Sequence, residues 1–164
     1  MKFERYPFDP ALQESLAAMG FRRPTDIQFR AIPSILKGED VFAIAQTGTG
    51  KTAAYAIPLI QQLLRNKQRT REACTVRSLV MIPTRELATQ VAEVFQQLAQ
   101  FSSLQILALI GGVDEAPQVK KLKHGIDVLI ATPGRMFDLQ SRGLLRLDKT
   151  HWLILDEADQ MLAL

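Results

Sequence analysis

An internal disulfide is excluded at once, because the 164 residues include one cysteine, Cys74. A lone thiol suits a reducing compartment. A long hydrophobic run is missing too. No apolar stretch approaches the ~20 residues that a membrane-spanning helix needs, which argues against a membrane partner. The N-terminal MKFERYPFDP has neither the apolar centre nor the small-residue cleavage site of a secretory signal. Charge of one sign does not dominate. Lys and Arg number 20 against 17 Asp and Glu, for a net charge of +3 and a pI near 9.2. That balance is compatible with a polyanionic partner and too small to require one. Internal repeats and low-complexity segments are absent as well. What remains reads as a soluble, cytoplasmic chain, 47% hydrophobic and 23% charged, long enough for one domain with a sizeable core.

Short apolar runs alternate with segments of helical period. The runs are VFAIA (41–45), SLVMI (78–82), QILALI (105–110), DVLIA (127–131) and WLILD (152–156). None alternates apolar with polar, as expected of strands buried on both faces. Between them, ELATQVAEVFQQL repeats Leu87, Val91, Val94, Phe95 and Leu98 along one helical face. Asp9-Pro10 predicts the start of a helix running to about Met19. The capping box TDIQ (25–28) opens another that stops near Gly38. The polar stretch RNKQRTREACTVR (65–77) predicts a surface connection. Strand–helix alternation of this kind predicts an α/β fold, a mostly parallel sheet flanked by helices on both faces. Five punctuated stretches each follow an apolar run: QTGTGKT, PTRELA, GG, TPGR and DEAD. Ligands of open parallel sheets bind outside the carboxyl ends of the strands, so these turns are expected to share one rim.

AQTGTGKT, from Ala45 to Thr52, matches a phosphate loop except that Ala45 replaces its first glycine. A phosphate chain needs several backbone N–H groups aimed inward, and glycines let the backbone wrap that closely. The following helix adds its positive N-terminal end. Lys51 supplies a point charge for the β- and γ-phosphates, and the Thr52 hydroxyl is placed to ligate Mg²⁺. At the far end of the chain, Asp156 closes an apolar run with Glu157 beside it. A carboxylate there can hold Mg²⁺ through water, and an adjacent glutamate can orient or deprotonate an attacking water. Both residues are also ordinary helix-start residues.

Taken together these motifs resemble the DEAD-box RNA helicases, specifically their N-terminal RecA-like domain. The phosphate loop, PTRELA, GG, TPGR and Asp156-Glu157-Ala158-Asp159 stand in family order across almost the whole chain. Ala45 then ceases to be a departure, since the family's own loop begins with alanine. GFRRPTDIQ (20–28) resembles the Q motif, with Phe3 as its upstream aromatic and Asp26 where the family usually has proline. The resemblance implies that Phe21 stacks on adenine and Gln28 bonds to its edge, while Gln28 also serves the capping box. It implies that Ala45, Gln46, Thr47, Gly48, Thr49, Gly50, Lys51 and Thr52 bind ATP, that Thr52 and Asp156 hold Mg²⁺, and that Glu157 activates water. Thr84, Arg85, Gly111, Gly112, Thr132, Gly134 and Arg135 would line a track for the RNA backbone, with largely sequence-independent contacts. Thr84 and Thr132 also read as plain N-caps, with Pro133 at N1. Asp159 would couple the nucleotide site to a second domain.

On that resemblance residues 1–38 form a Q-motif region packed on the core, and 39–164 form part of the first RecA-like domain. The family continues into a Ser-Ala-Thr strand and a second RecA-like domain that carries arginines reaching the γ-phosphate. The expectation is therefore a chain that by itself has little or no ATPase or unwinding activity and is poorly stable. No obligate oligomer is expected. The alternative is a nucleotide-switched RNA or partner clamp without productive hydrolysis.

Overall fold

The computed structural model describes residues 1–67 and 70–163. The basic run between 65 and 71 lies partly outside them, at Gln68 and Arg69. The chain divides into two compact units: Met1–Lys67 with Val94–Ser103, and Gln68–Glu93 with Leu104–Leu164.

The first unit is helical. A 3₁₀ turn at Phe3–Arg5 leads to α1 (Pro10–Ala18), α2 (Asp26–Leu36) and α3 (Lys51–Arg65). Asp9 caps α1 as the sequence predicts, its Oδ1 accepting from Ala11 N at 2.9 Å. The returning half of the α2 capping box is present too, with Thr25 N donating to Gln28 Oε1 at 3.0 Å. Helix α3 is apolar nearly all round, and Ile57, Ile60 and Leu63 are fully buried. Gln62 of α3 donates to Leu36 O at 2.8 Å and so satisfies a carbonyl at the open end of α2.

The second unit carries a four-stranded, all-parallel sheet of β1 (Val76–Met81), β2 (Ile106–Leu109), β3 (Ile126–Ala131) and β4 (Trp152–Leu155), in the order β2-β3-β1-β4. Helices α4 (Arg85–Leu98), α5 (Glu115–Leu122), α6 (Pro133–Ser141) and α7 (Ala158–Leu162) follow the strands in turn, the end of α4 from Val94 onward belonging to the first unit. This is the α/β, RecA-like arrangement that the motif order implies. The interior strands β1 and β3 are buried almost throughout, which is why their sequences do not alternate. The outer strands do alternate: Leu107 and Leu109 of β2 are buried, whereas Leu153 and Leu155 of β4 are exposed. Leu79, Leu122, Leu129, Met136 and Leu139 belong to the core of this unit.

Two expectations are corrected. Residues 41–45 form no strand, and Phe42 and Ile44 are 89% and 87% exposed. A strand exists only through a hydrogen-bonded neighbour, and among the described residues none pairs with this segment. The surface connection proposed for 65–77 ends early. Thr75 and Arg77 are buried, because β1 begins at Val76.

Arg77 meets a counter-ion there. Its Nη1 lies 3.2 Å from Asp127 Oδ1, and Arg71 Nη2 lies 2.8 Å from Asp127 Oδ2. The Asp127 side chain is 1% exposed and also accepts from Gln105 N at 2.7 Å. Among the described residues no helix is long and apolar enough to cross a membrane.

Candidate functional site

In the first unit, the segment before α3 folds back on α2. Gly50 has φ +81°, a left-handed conformation that other residues adopt only under strain. A Cβ there would lie 2.5 Å from Gln28 Nε2 and 3.1 Å from Thr25 Oγ1, so the close approach also requires glycine. Gln28 is 2% exposed and donates to Gly50 O at 3.1 Å. Its amide therefore uses one acceptor site on Thr25 N and one donor on Gly50 O, which leaves one of each. Thr49 Oγ1 closes the preceding turn by donating to Gln46 O at 2.6 Å.

The resulting cleft, about 810 Å³, is lined by Phe21, Thr25, Gln28, Gly48, Gly50 and Thr52 among others. Phe3 stands edge-on to Phe21, with ring centroids 5.8 Å apart at 80°, and is itself buried. It supports the ring that faces the cleft. Ala45, Gln46, Thr47, Thr49 and Lys51 belong to the same loop and helix start but do not line the cleft itself. A wide apolar-and-amide pocket with an aromatic face, set against a glycine-shaped turn and the N-terminus of a 15-residue helix, fits a base joined to phosphates. The chemistry of the residues present thus agrees with nucleotide. Met19, Val94, Gln97 and Gln100 also line the cleft. No sequence motif marks them, because they come from helix ends whose spacing signals only packing.

In the second unit, the turns after β1, β2 and β3 converge. All seven residues expected to meet RNA line one concavity of about 430 Å³: Thr84, Arg85, Gly111, Gly112, Thr132, Gly134 and Arg135, with Pro83 and Glu86. Because the strands are parallel, these turns all lie at one end of the sheet. Thr84 Oγ1 accepts from Leu87 N at 3.3 Å, so Thr84 does cap α4. Thr132 is the N-cap of α6 with Pro133 behind it, but its side chain makes no capping bond. Gly112 has φ +75°, and a Cβ there would run into the Arg85 guanidinium, whose Nη1 points to Gly111 O at 3.4 Å. Arg135 Nη1 donates to Gln118 Oε1 at 2.9 Å and Nη2 to Val113 O at 3.2 Å. Two arginines, three glycines and two hydroxyls, with the Glu86 carboxylate, surround a concavity at two helix starts, and the donors among them are of the kind that suits an anion.

Asp156 and Glu157 lie just beyond β4. Asp156 is 4% exposed, and its backbone N–H continues the sheet by donating to Met81 O at 3.0 Å. Glu157 has φ +52° and is half-buried. A left-handed glutamate costs on the order of 1–3 kcal/mol and is retained where its position matters. Asp159 is exposed in α7. None of the three lines either cleft.

A family model described as DEAD/DEAH box helicase matches residues 25–164. The mouse (Mus musculus) protein described as "Probable ATP-dependent RNA helicase DDX27" is 44% identical over 163 residues, which is 99% of this chain and 21% of that protein. The chain thus spans about a fifth of the length of that relative.

Proposed function

The chain belongs to the DEAD/DEAH box helicase family, and from that premise we propose that it is the ATP-binding and RNA-backbone-binding part of an ATP-dependent RNA helicase that unwinds or remodels short duplexes. The observation that carries the reading is the second cleft. Seven residues from three separate stretches of sequence meet around one concavity, and all of them offer backbone amides, hydroxyls or guanidinium groups. Such donors suit phosphates and sugars, so they hold a strand without reading its bases.

In this reading Phe21 stacks on the adenine and the remaining donor and acceptor of Gln28 bond to its edge. By the family resemblance, the loop amides and Lys51 would hold the phosphates, Thr52 and Asp156 would hold Mg²⁺, and Glu157 would orient and deprotonate water. Mg²⁺, when bound, neutralises charge developing on the phosphates. Asp159 relays the state of the nucleotide to a second RecA-like domain, which supplies the arginines that complete the site. The chain alone is then expected to turn over little ATP, and phosphate release at the rate of a complete helicase would contradict that part.

Binding of fluorescent single-stranded oligoribonucleotides to the full-length protein, with a non-hydrolysable ATP analogue present, tests the RNA reading. Affinity is expected to be indifferent to base sequence and to fall about tenfold or more in Arg85→Ala, the loss of one charge-assisted phosphate contact. An Arg85→Ala protein that binds RNA as well as the parent would remove Arg85 from the track.

Gln28→Ala tests the nucleotide reading. The substitution removes the bond to Gly50 as well as contact with the base. ATP affinity is expected to fall about tenfold and preference for ATP over GTP to shrink in parallel, at a loss of ~1–1.5 kcal/mol. If ATP affinity fell while the preference stayed intact, Gln28 would serve the loop and not the base.

A further inference from the structure

Gln118 sits on α5, six residues past Gly112 and outside every motif that marks the chain, yet it is 7% exposed. Its Nε2 donates to Ile110 O at 3.2 Å, and its Oε1 accepts from Arg135 Nη1 at 2.9 Å. Arg135 in turn donates through Nη2 to Val113 O at 3.2 Å. The carbonyls flanking Gly111-Gly112 are therefore both engaged from one side, Ile110 by Gln118 and Val113 by the arginine that Gln118 holds. A backbone segment that meets a phosphate must present its N–H groups and settle its carbonyl oxygens elsewhere, since an outward carbonyl repels the anion. A guanidinium is planar with fixed donor directions, so one bond at each Nη sets the plane and aims the remaining N–H groups. From this we infer that Gln118 is a positioning residue for RNA. It fixes the plane of Arg135 and the shape of the 110–113 loop, so that arginine and glycine amides meet neighbouring phosphates of one strand.

A plainer role would be a staple between α5 and α6. The fold has such a staple already, in a place where it can be tested separately. Arg142 Nη2 lies 2.6 Å from Glu115 Oε1, joining the same two helices on an exposed surface outside the cleft. The hydrogen bond from Arg142 holds the Glu115 carboxyl below the usual carboxylate range. Gln118 differs in being buried and in touching a residue that lines the cleft.

The inference rests on the RNA reading proposed above, and the experiment separates the two. Affinity of the full-length protein for a single-stranded oligoribonucleotide is measured by anisotropy across a salt series, with a non-hydrolysable ATP analogue present. The proteins are the parent, Gln118→Leu, Arg135→Ala, the double variant and Glu115→Gln. Gln118→Leu is expected to bind RNA about tenfold more weakly and to lose ~0.7 from the slope of log affinity against log salt, one phosphate contact on a single strand. Arg135→Ala should lose the same, the double variant no more than Arg135→Ala alone, and Glu115→Gln less than twofold. The salt slope does not depend on the folded fraction, and hydrogen–deuterium exchange of peptides covering 106–109 and 126–131, expected within about threefold of the parent throughout, reports the folding of the second unit. RNA binding by Gln118→Leu equal to the parent's would overturn the inference alone. So would an unchanged slope, or an equal further loss when Gln118→Leu is added to Arg135→Ala. A parent protein that binds nucleotide but no RNA would overturn the RNA reading and this inference with it.

Discussion

Exchanging Glu157 for glutamine is expected to lower RNA-stimulated ATP turnover of the full-length protein by ~10²–10⁴-fold, the usual contribution of a positioned general base, while ATP affinity stays within about threefold. The substitution keeps size and hydrogen-bonding shape and removes only basicity. It also keeps the backbone, which matters because Glu157 has φ +52°. Glu157→Gly separates the two properties of that position. Glycine relieves the left-handed conformation and deletes the side chain, so turnover should fall as far as in the glutamine variant. The segment itself should be no less stable, since glycine adopts such a conformation without the cost that glutamate bears. Single-turnover hydrolysis of radiolabelled ATP, stopped with acid and read as phosphate formed, measures the chemical step without interference from product release. Undiminished turnover in Glu157→Gln would remove Glu157 from the chemistry. A parent protein that binds ATP and RNA tightly but never releases phosphate would favour the nucleotide-switched clamp over the helicase.

How much of this was legible beforehand differs from element to element, for physical reasons. The four strands that pair were visible as apolar runs, because the interior strands β1 and β3 are buried on both faces and stay mostly apolar, and the outer strands β2 and β4 carry apolar residues on their more exposed face as well. The fifth run, 41–45, has the same composition and no strand, since composition records a preference for the interior while strand formation needs a partner. The convergence of Thr84, Arg85, Gly111, Gly112, Thr132, Gly134 and Arg135 could be anticipated from two facts together: each follows an apolar run, and parallel strands put all their carboxyl ends on one side. Gln118 could not be found that way. A glutamine on a helix has the same local signature whether it faces water or clasps an arginine, and only the packing of α5 against its neighbours decides between them. The same holds for Gln97 at the first cleft. Roles that depend on main-chain shape were therefore readable from glycine, proline and threonine, and roles that depend on which side chain meets which across the fold were not.

Asp127 is the clearest case of the second kind, and its removal carries the largest expected loss of stability. In sequence it is one polar residue opening the run DVLIA, and Arg71 and Arg77 belong to a stretch that reads as exposed. In the fold, the three meet with side-chain exposures of 1% for Asp127, 8% for Arg77 and 30% for Arg71. Asp127→Ala leaves the Arg77 guanidinium buried without the carboxylate that compensates it, and strips the acceptor from Gln105 N. Breaking a buried pair from one side costs ~3–5 kcal/mol. Amides of β1 and β3 in the full-length protein should then exchange hydrogen for deuterium roughly 10²- to 10³-fold faster or more, as read by mass spectrometry of peptides covering 76–81 and 126–131. A triple variant, Asp127→Leu with Arg77→Met and Arg71→Leu, distinguishes charge from shape. Well-packed apolar side chains often replace a buried ionic group at no cost, so exchange should return to within about tenfold of the parent. If Asp127→Ala exchanged at the parent rate, the cluster would contribute nothing to the sheet. If the triple variant exchanged as fast as Asp127→Ala, the contribution would lie in the hydrogen bonds to Gln105 and not in the balance of charge.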